Sequence, residues 1–370
     1  MGKDVPVYPQ RERLKTRQKW SVMNHVMLSK GTIVKTLAGL IMGVSVGLAA
    51  SALYQDRGAG RDRHRFPPPG RMVDIGGRRI HLWTAGTGSP TVVIVPGLGE
   101  PGLNWSALLP ELAAESSVVL YDRAGLGWSD PSPWAGSALS AARDLRRALD
   151  GAGIAPPYVL VGHSAGGYIV RLFAAEQPDA VAAVVLVDSS HPEQVQRLPR
   201  SRVSMALTIL RSRLTPLALR RLAFDTGWSE QARREADARR LPSEFVSTRI
   251  AFDLSDRQRR TALREMAAAV TISPVQVRRR AASLWAIPLT VVSSSRDDPL
   301  STDATAIAER RRFYSVWHPL QVDLLRLSSN AVHVVAERAG HQVHRHRPDL
   351  VVGLIVDHIR RVQAKARMTS

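Results

Sequence analysis

Cysteine is absent from the chain. Disulfides, thiolate nucleophiles and cysteine-ligated metals are excluded by that alone, in whatever compartment the protein resides. Aromatic residues are scarce, at 5 % of 370 positions, and no zinc-finger or RNA-recognition pattern accompanies them. Acidic residues are few beside the basic ones: 32 Asp and Glu against 51 Lys and Arg give a formal charge of +19. Such an excess favours anionic surfaces such as phospholipid head groups. Without a nucleic-acid signature it is expected to be largely solvated arginine, and no nucleic-acid partner is expected.

One segment near the start is organised differently from the rest. From Thr36 to Tyr54 the chain reads TLAGLIMGVSVGLAASALY, without a charge. At the helical rise this spans ~28 Å, about the thickness of a hydrocarbon core. Residues 36–54 are therefore expected to be a transmembrane anchor following a basic N-terminal region, 1–35. The alternative is a secretory signal cleaved at the small residues around Ala52. Basic residues flank both sides, Lys30 and Lys35 before and Arg57, Arg61 and Arg63 after, so orientation is not set by the positive-inside rule. The expectation is a single-pass protein of the cell membrane with its large C-terminal part outside the cytoplasm, or a secreted one. Residues 55–70, charged, glycine-containing and ending in three prolines, read as a linker.

From Arg71 the texture changes. MVDIGGRRIHLWTAG suggests a hairpin through Gly76 and Gly77. Then come TVVIV (91–95), SVVLY (117–121), YVLVG (158–162), AVVLVD (183–188), LTVVSS (289–294) and AVHVVAE (331–337). These runs are apolar throughout rather than alternating, as strands buried on both faces of a parallel sheet are. Helical stretches separate most of them, which predicts an α/β fold with a mostly parallel sheet and helices on both faces. The alternation stops over 189–286, where only helical patterns occur. That stretch is expected to be a helical cap on a core formed by 71–188 and 287–365. Between 197 and 280 it carries 19 Arg against 8 acidic residues.

The segment GHSAG, 162–166, follows a predicted buried strand and precedes a predicted helix. Small residues on both sides allow a tight, strained turn that pushes the Ser164 hydroxyl clear of the sheet. A serine needs a base to be nucleophilic. His341, after the last predicted strand, is the candidate, since such a loop returns to the C-terminal edge where Ser164 lies. His163 is expected to point away from Ser164. His344 and His346 are not expected to bind metal, because their arginine neighbours oppose a cation. The acid that orients the base is assigned first to Asp298, which follows the strand 289–294 and keeps the order serine, acid, histidine. Asp297 and Asp188 remain alternatives, and Asp188 has a possible capping role instead. Backbone donors for a developing oxyanion are expected from the N–H groups of Ala165 and of Leu98, in the glycine-rich loop VPGLGEPGLNW.

With these parts in place, the chain resembles the α/β-hydrolase fold family, in its serine-nucleophile branch near esterases and proline-iminopeptidase-like hydrolases. The resemblance rests on PGLG (96–99), YDRAGLGWSD (121–130), GHSAGG (162–167), RDDP (296–299) and GH (340–341), in the family's usual order. The dehalogenase and epoxide-hydrolase branch would carry Asp at position 164. Pro96 stands where many relatives have histidine, and the stretch from Asp298 to His341 is longer than usual. The resemblance implies an eight-stranded sheet and a carboxylic ester hydrolase working through an acyl-serine, with no metal or organic cofactor. Its expected partner is a small, apolar ester or other acyl substrate. An aminopeptidase is the alternative, with Glu244 or Glu265 to hold the substrate ammonium. A non-catalytic, membrane-tethered binding protein is a further one.

Overall fold

The computed structural model describes residues 30–133, 136–198, 217–226, 241–295 and 304–369. Its strands are β1 (Arg71–Asp74), β2 (Arg79–Ala85), β3 (Thr91–Val95), β4 (Val118–Tyr121), β5 (Tyr158–His163), β6 (Val181–Val187), β7 (Leu289–Ser294) and β8 (Ala331–Ala336). They form one sheet in the order β1-β2-β4-β3-β5-β6-β7-β8. β2 runs antiparallel to β1 and β4, and every pair from β4 to β8 is parallel. The hairpin turns where Gly76 and Gly77 take φ of +97° and +82°, and their N–H groups donate to Asp74 Oδ1 at 2.8 and 3.1 Å.

The described helices are α1 (Lys30–Arg65), α2 (Leu109–Glu115), α3 (Ala138–Gly151), α4 (Gly166–Glu176), α5 (Gln194–Arg197), α6 (Leu217–Asp225), α7 (Ser243–Asp253), α8 (Asp256–Val270), α9 (Ile272–Arg280), α10 (Ala304–Asp323), α11 (Val343–His346) and α12 (Pro348–Thr369). Alternate residues of each central strand face opposite layers. Val93, Leu160 and Leu186 pack with Leu145 of α3, Leu172 of α4 and Val277 of α9. Val92, Val159 and Val185 pack with Leu112 of α2 and Val351 and Ile355 of α12. Each such side chain contributes roughly 1.5–3 kcal/mol by leaving water. That two-sided burial is why the strands read as unbroken apolar runs. Between β6 and β7 every described element is helical, α5 to α9; residues 199–216 and 227–240 of the expected cap lie outside the described residues.

The chain divides into two units, Met1–Arg57 and Gly58–Ser370. Among the described residues, one helix segment, Val34–Arg65, is long and apolar enough to cross a membrane. Leu37, Leu40, Ile41, Val44 and Leu48 are exposed along it, so its surface is apolar on more than one side. An anchor and a signal segment both meet that description. Residues 55–65, expected as linker, are instead helical, because α1 continues to Arg65. Within the second unit, its last turns pair with α6 through Arg61–Asp225 at 3.3 Å and Asp62–Arg221 at 2.8 Å. Gly58 is not a breaker here, since a Cβ at that position would fall 2.5 Å from the Arg221 side chain. It permits close packing.

Candidate active site

Parallel strands end on one edge, and the chain delivers several polar groups there. β5 ends at His163, and Ser164 follows with φ +50°, in the left-handed region that a residue with a side chain adopts only under constraint. The Ser164 N–H is held by Val187 O at 3.1 Å, and its carbonyl accepts from Gly167 and Ser190 N–H at 3.0 and 2.9 Å. The small neighbours are a steric necessity. A Cβ on Gly166 would stand 2.2 Å from Val95 O, and one on Gly167 would stand 2.5 Å from Ser189 Oγ.

His341 Nε2 lies 3.0 Å from Ser164 Oγ. His341 Nδ1 lies 2.6 Å from Asp188 Oδ2. The carboxylate that meets His341 among the described residues is thus Asp188, the alternative to Asp298, and residues 296–303, with Asp297 and Asp298, lie outside the described residues. The sheet explains the choice. β6 is the immediate neighbour of β5, with His163 abreast of Val187, so the residue after each strand lies at the same place on the edge. Asp188 takes φ +42° there and is 1 % exposed. It does not cap a helix. Its Oδ1 accepts from Ser294 N–H, Ser294 Oγ and Trp317 Nε1, each at 2.9 Å, which leaves Oδ2 for His341. Neither Ser294, one of three consecutive serines, nor Trp317 carried a sequence signal.

Electrostatics follow from this packing. Burial works against the Asp188 carboxylate, but the His341 hydrogen bond and charge, with the Ser294 and Trp317 donors, bring its pKa below the usual value. Desolvation likewise opposes a charged His341, yet Asp188 and, farther off, Glu100 hold the imidazole pKa above its ordinary 6.5. A base raised in this way accepts a proton more readily.

His163, expected to point away from Ser164, is buried below the site. Its Nε2 lies 3.0 Å from the His341 carbonyl, to which it donates, and its ring is 4.9 Å from that of His344. His344 is stacked on Trp105, with ring centroids 4.0 Å apart, and burial holds it well below the usual histidine pKa. His346 Nδ1 accepts the Gly340 N–H at 2.9 Å. Leu98 and Ala165, the expected oxyanion donors, are both half-buried. Among the described residues neither N–H donates to another protein group. Glu265 is already engaged, its Oε1 2.6 Å from Arg123 Nε with both side chains largely buried, whereas Glu244 is exposed. No cluster of three metal-ligating side chains occurs among the described residues.

A sequence model of the alpha/beta hydrolase fold matches residues 90–300. Among curated proteins, the uncharacterized protein YbdG of Bacillus subtilis (strain 168) is 27 % identical over 177 residues, 47 % of this chain and 51 % of that one. The chain spans about half or less of the length of the curated relatives it matches first. Solved structures agree on the fold. An esterase from Thermogutta terrifontis superposes with a TM-score of 0.55 at 20 % identity, covering 79 % of this chain and 98 % of that one. The epoxide hydrolase CorEH gives a TM-score of 0.57 at 18 % identity, covering 79 % and 98 %.

Proposed function

Because the chain belongs to the alpha/beta hydrolase fold family, we propose that it is a serine hydrolase, cleaving carboxylic esters through an acyl-enzyme on Ser164. The observation that carries the proposal is the continuous relay Ser164 Oγ–His341 Nε2 at 3.0 Å and His341 Nδ1–Asp188 Oδ2 at 2.6 Å. His341 removes the hydroxyl proton as Oγ attacks the ester carbonyl. Asp188 fixes the imidazole tautomer with Nδ1–H toward itself and stabilises the imidazolium. The tetrahedral oxyanion is received by the N–H groups of Leu98 and Ala165, the latter at the start of α4, where the helix dipole adds to it. His341 then protonates the leaving alcohol, and water repeats the sequence to release the acid.

The Arg123–Glu265 pair takes Glu265 out of the aminopeptidase alternative, which then rests on the exposed Glu244 alone. A carboxylate neutralised by a buried guanidinium is a poor receptor for a substrate ammonium. The epoxide hydrolase likeness extends to fold only, since position 164 here is serine. The apolar N-terminal helix is proposed as a membrane anchor and residues 189–286 as a cap. Together they favour an apolar acyl substrate. The full chain, solubilised in detergent, is to be treated with a fluorophosphonate and digested for peptide mass spectrometry. Label is expected on Ser164, and mostly absent in His341→Ala. A folded wild-type protein that takes no label overturns the proposal.

A further inference from the structure

The loop that would receive the oxyanion has an unsolved problem of its own. Gly97 has no side chain, so the peptide joining it to Leu98 can rotate at little steric cost, turning the Leu98 N–H away. Within the loop that peptide is held by one bond, from the Glu100 N–H to the Gly97 carbonyl at 3.1 Å, and a second hold comes from outside. Arg123, from the YDRAGLG segment after β4, is 3 % exposed. Its Nη1 donates to Pro96 O at 2.7 Å and its Nη2 to Gly97 O at 2.6 Å. The same guanidinium meets Glu265 of α8, Nε to Oε1 at 2.6 Å and Nη2 to Oε2 at 3.0 Å. Glu265 Oε2 in turn accepts the Gly99 N–H at 2.8 Å. Two carbonyls and one amide of a four-residue loop are thus bound by one buried ion pair.

A trans peptide is planar, with C=O and N–H pointing in opposite directions. Fixing the Gly97 carbonyl on Arg123 therefore fixes the Leu98 N–H on the other side of the same plane. A cation on the carbonyl also polarises the peptide and strengthens its N–H as a donor. Resting on the serine-hydrolase proposal above, we infer that Arg123 and Glu265 are positioning residues. They hold the Gly97–Leu98 peptide in its oxyanion-binding orientation and tie that orientation to the inserted helix α8. Gly99 accommodates the same contact, since its φ is +67° and a Cβ there would be 2.9 Å from Ala262 Cβ of α8. Movement of α8 would then be felt first in the oxyanion loop, before it reached Ser164 or His341.

The test uses full-length chain in detergent, with p-nitrophenyl butyrate as substrate and a trifluoromethyl ketone as mimic of the tetrahedral state. Competent sites are counted by fluorophosphonate titration, so that misfolded protein does not enter the rates. In Arg123→Met, kcat per titrated site is expected to fall about 100-fold, as for loss of one oxyanion donor. KM should stay within about threefold, and ketone affinity should fall in parallel with kcat/KM, as an interaction made in the transition state requires. Arg123→Lys should recover little, because an ammonium cannot span two carbonyls and a carboxylate as the planar fork does. Guanidinium at low millimolar concentration should restore part of the activity of Arg123→Ala. It should not affect Arg143→Ala, an exposed pair with Glu176. Glu265→Gln, which keeps an acceptor for Gly99, guards against an Arg123 variant that does not fold, and should lower kcat about tenfold by the weaker clamp. Unchanged kcat and ketone affinity per titrated site, with only a lower melting temperature, would overturn the inference. A wild type that neither labels at Ser164 nor turns over ester is a different result, and overturns the serine-hydrolase proposal instead.

Discussion

Ser164 sits at φ +50°, and that strain has a measurable cost. Relief by glycine should make Ser164→Gly more stable than Ser164→Ala by about 1 kcal/mol, since both lack the hydroxyl and only one tolerates the left-handed region freely. Paired melting curves check this. Equal stability would mean that the turn is not strained. A second expectation concerns the base. His341 must be neutral to accept the Ser164 proton, and its pKa is raised above 6.5 chiefly by Asp188 against the opposing desolvation. The acid limb of kcat/KM is therefore expected above pH 6.5. Asp188→Asn should move that limb down and lower kcat about 10⁴-fold through loss of the correct tautomer. Asp298→Asn should do neither. The reverse pattern in a pH–rate series would return the acid to the segment after β7.

At the scale of elements, the sheet is where sequence and structure agree most closely. Two-sided burial writes itself into composition, and so TVVIV, SVVLY and LTVVSS coincide with β3, β4 and β7 to within a residue. The elbow is legible for a similar reason, because Gly162 and Gly166 are imposed by backbone contacts under 3 Å and Gly167 by the Ser189 side chain. Gly166→Ala should accordingly destabilise the chain by about 1–3 kcal/mol as overpacking does, read from urea midpoints. An unchanged midpoint would mean that the elbow can yield. What the sequence does not display is lateral order. Nothing in the strings after β6 and β7 says that β6 lies beside β5 while β7 lies one strand farther, and the choice between Asp188 and Asp298 turns on that order. The same holds for Trp317, brought to Asp188 across 129 residues. The helix α1 is a different lesson: Gly58 and Gly60 look like breakers locally, and Gly58 is tolerated because α6 lies against it.

Across the whole molecule, several histidines are held in the neutral form. Burial lowers the pKa of His344 well below 6.5 and lowers those of His191, His333 and His358. In each case the unfolded chain binds the proton first as pH falls through about 6.5, so stability is lost on acidification. The loss is about 1.4 kcal/mol for each tenfold by which the unfolded chain binds that proton more tightly than the folded one. His341, with its raised pKa, runs the other way and contributes below 6.5 a stability that is lost as pH rises through its folded value. With four groups against one, the melting temperature is expected to drop between pH 7 and 5. His344→Phe, which keeps the stack on Trp105, should flatten that drop; an identical slope in the variant would count against it. On the same scale, the proposed anchor predicts that the mature chain stays in the membrane pellet after alkaline carbonate and retains residues before Thr36. Release of a shortened chain would favour the signal alternative.

Trp317 gives the site an optical consequence. Its indole N–H is bonded to Asp188 at 2.9 Å and its ring lies 6.2 Å from that of His341. An imidazolium at that range is an efficient quencher of tryptophan emission, and a neutral imidazole is a poor one. The chain has eight tryptophans, so the quantity to follow is the emission difference between wild type and Trp317→Phe. Plotted against pH, that difference is a titration curve of His341 in the resting protein. It reads the charge state of the base by light, with no substrate present and no turnover needed.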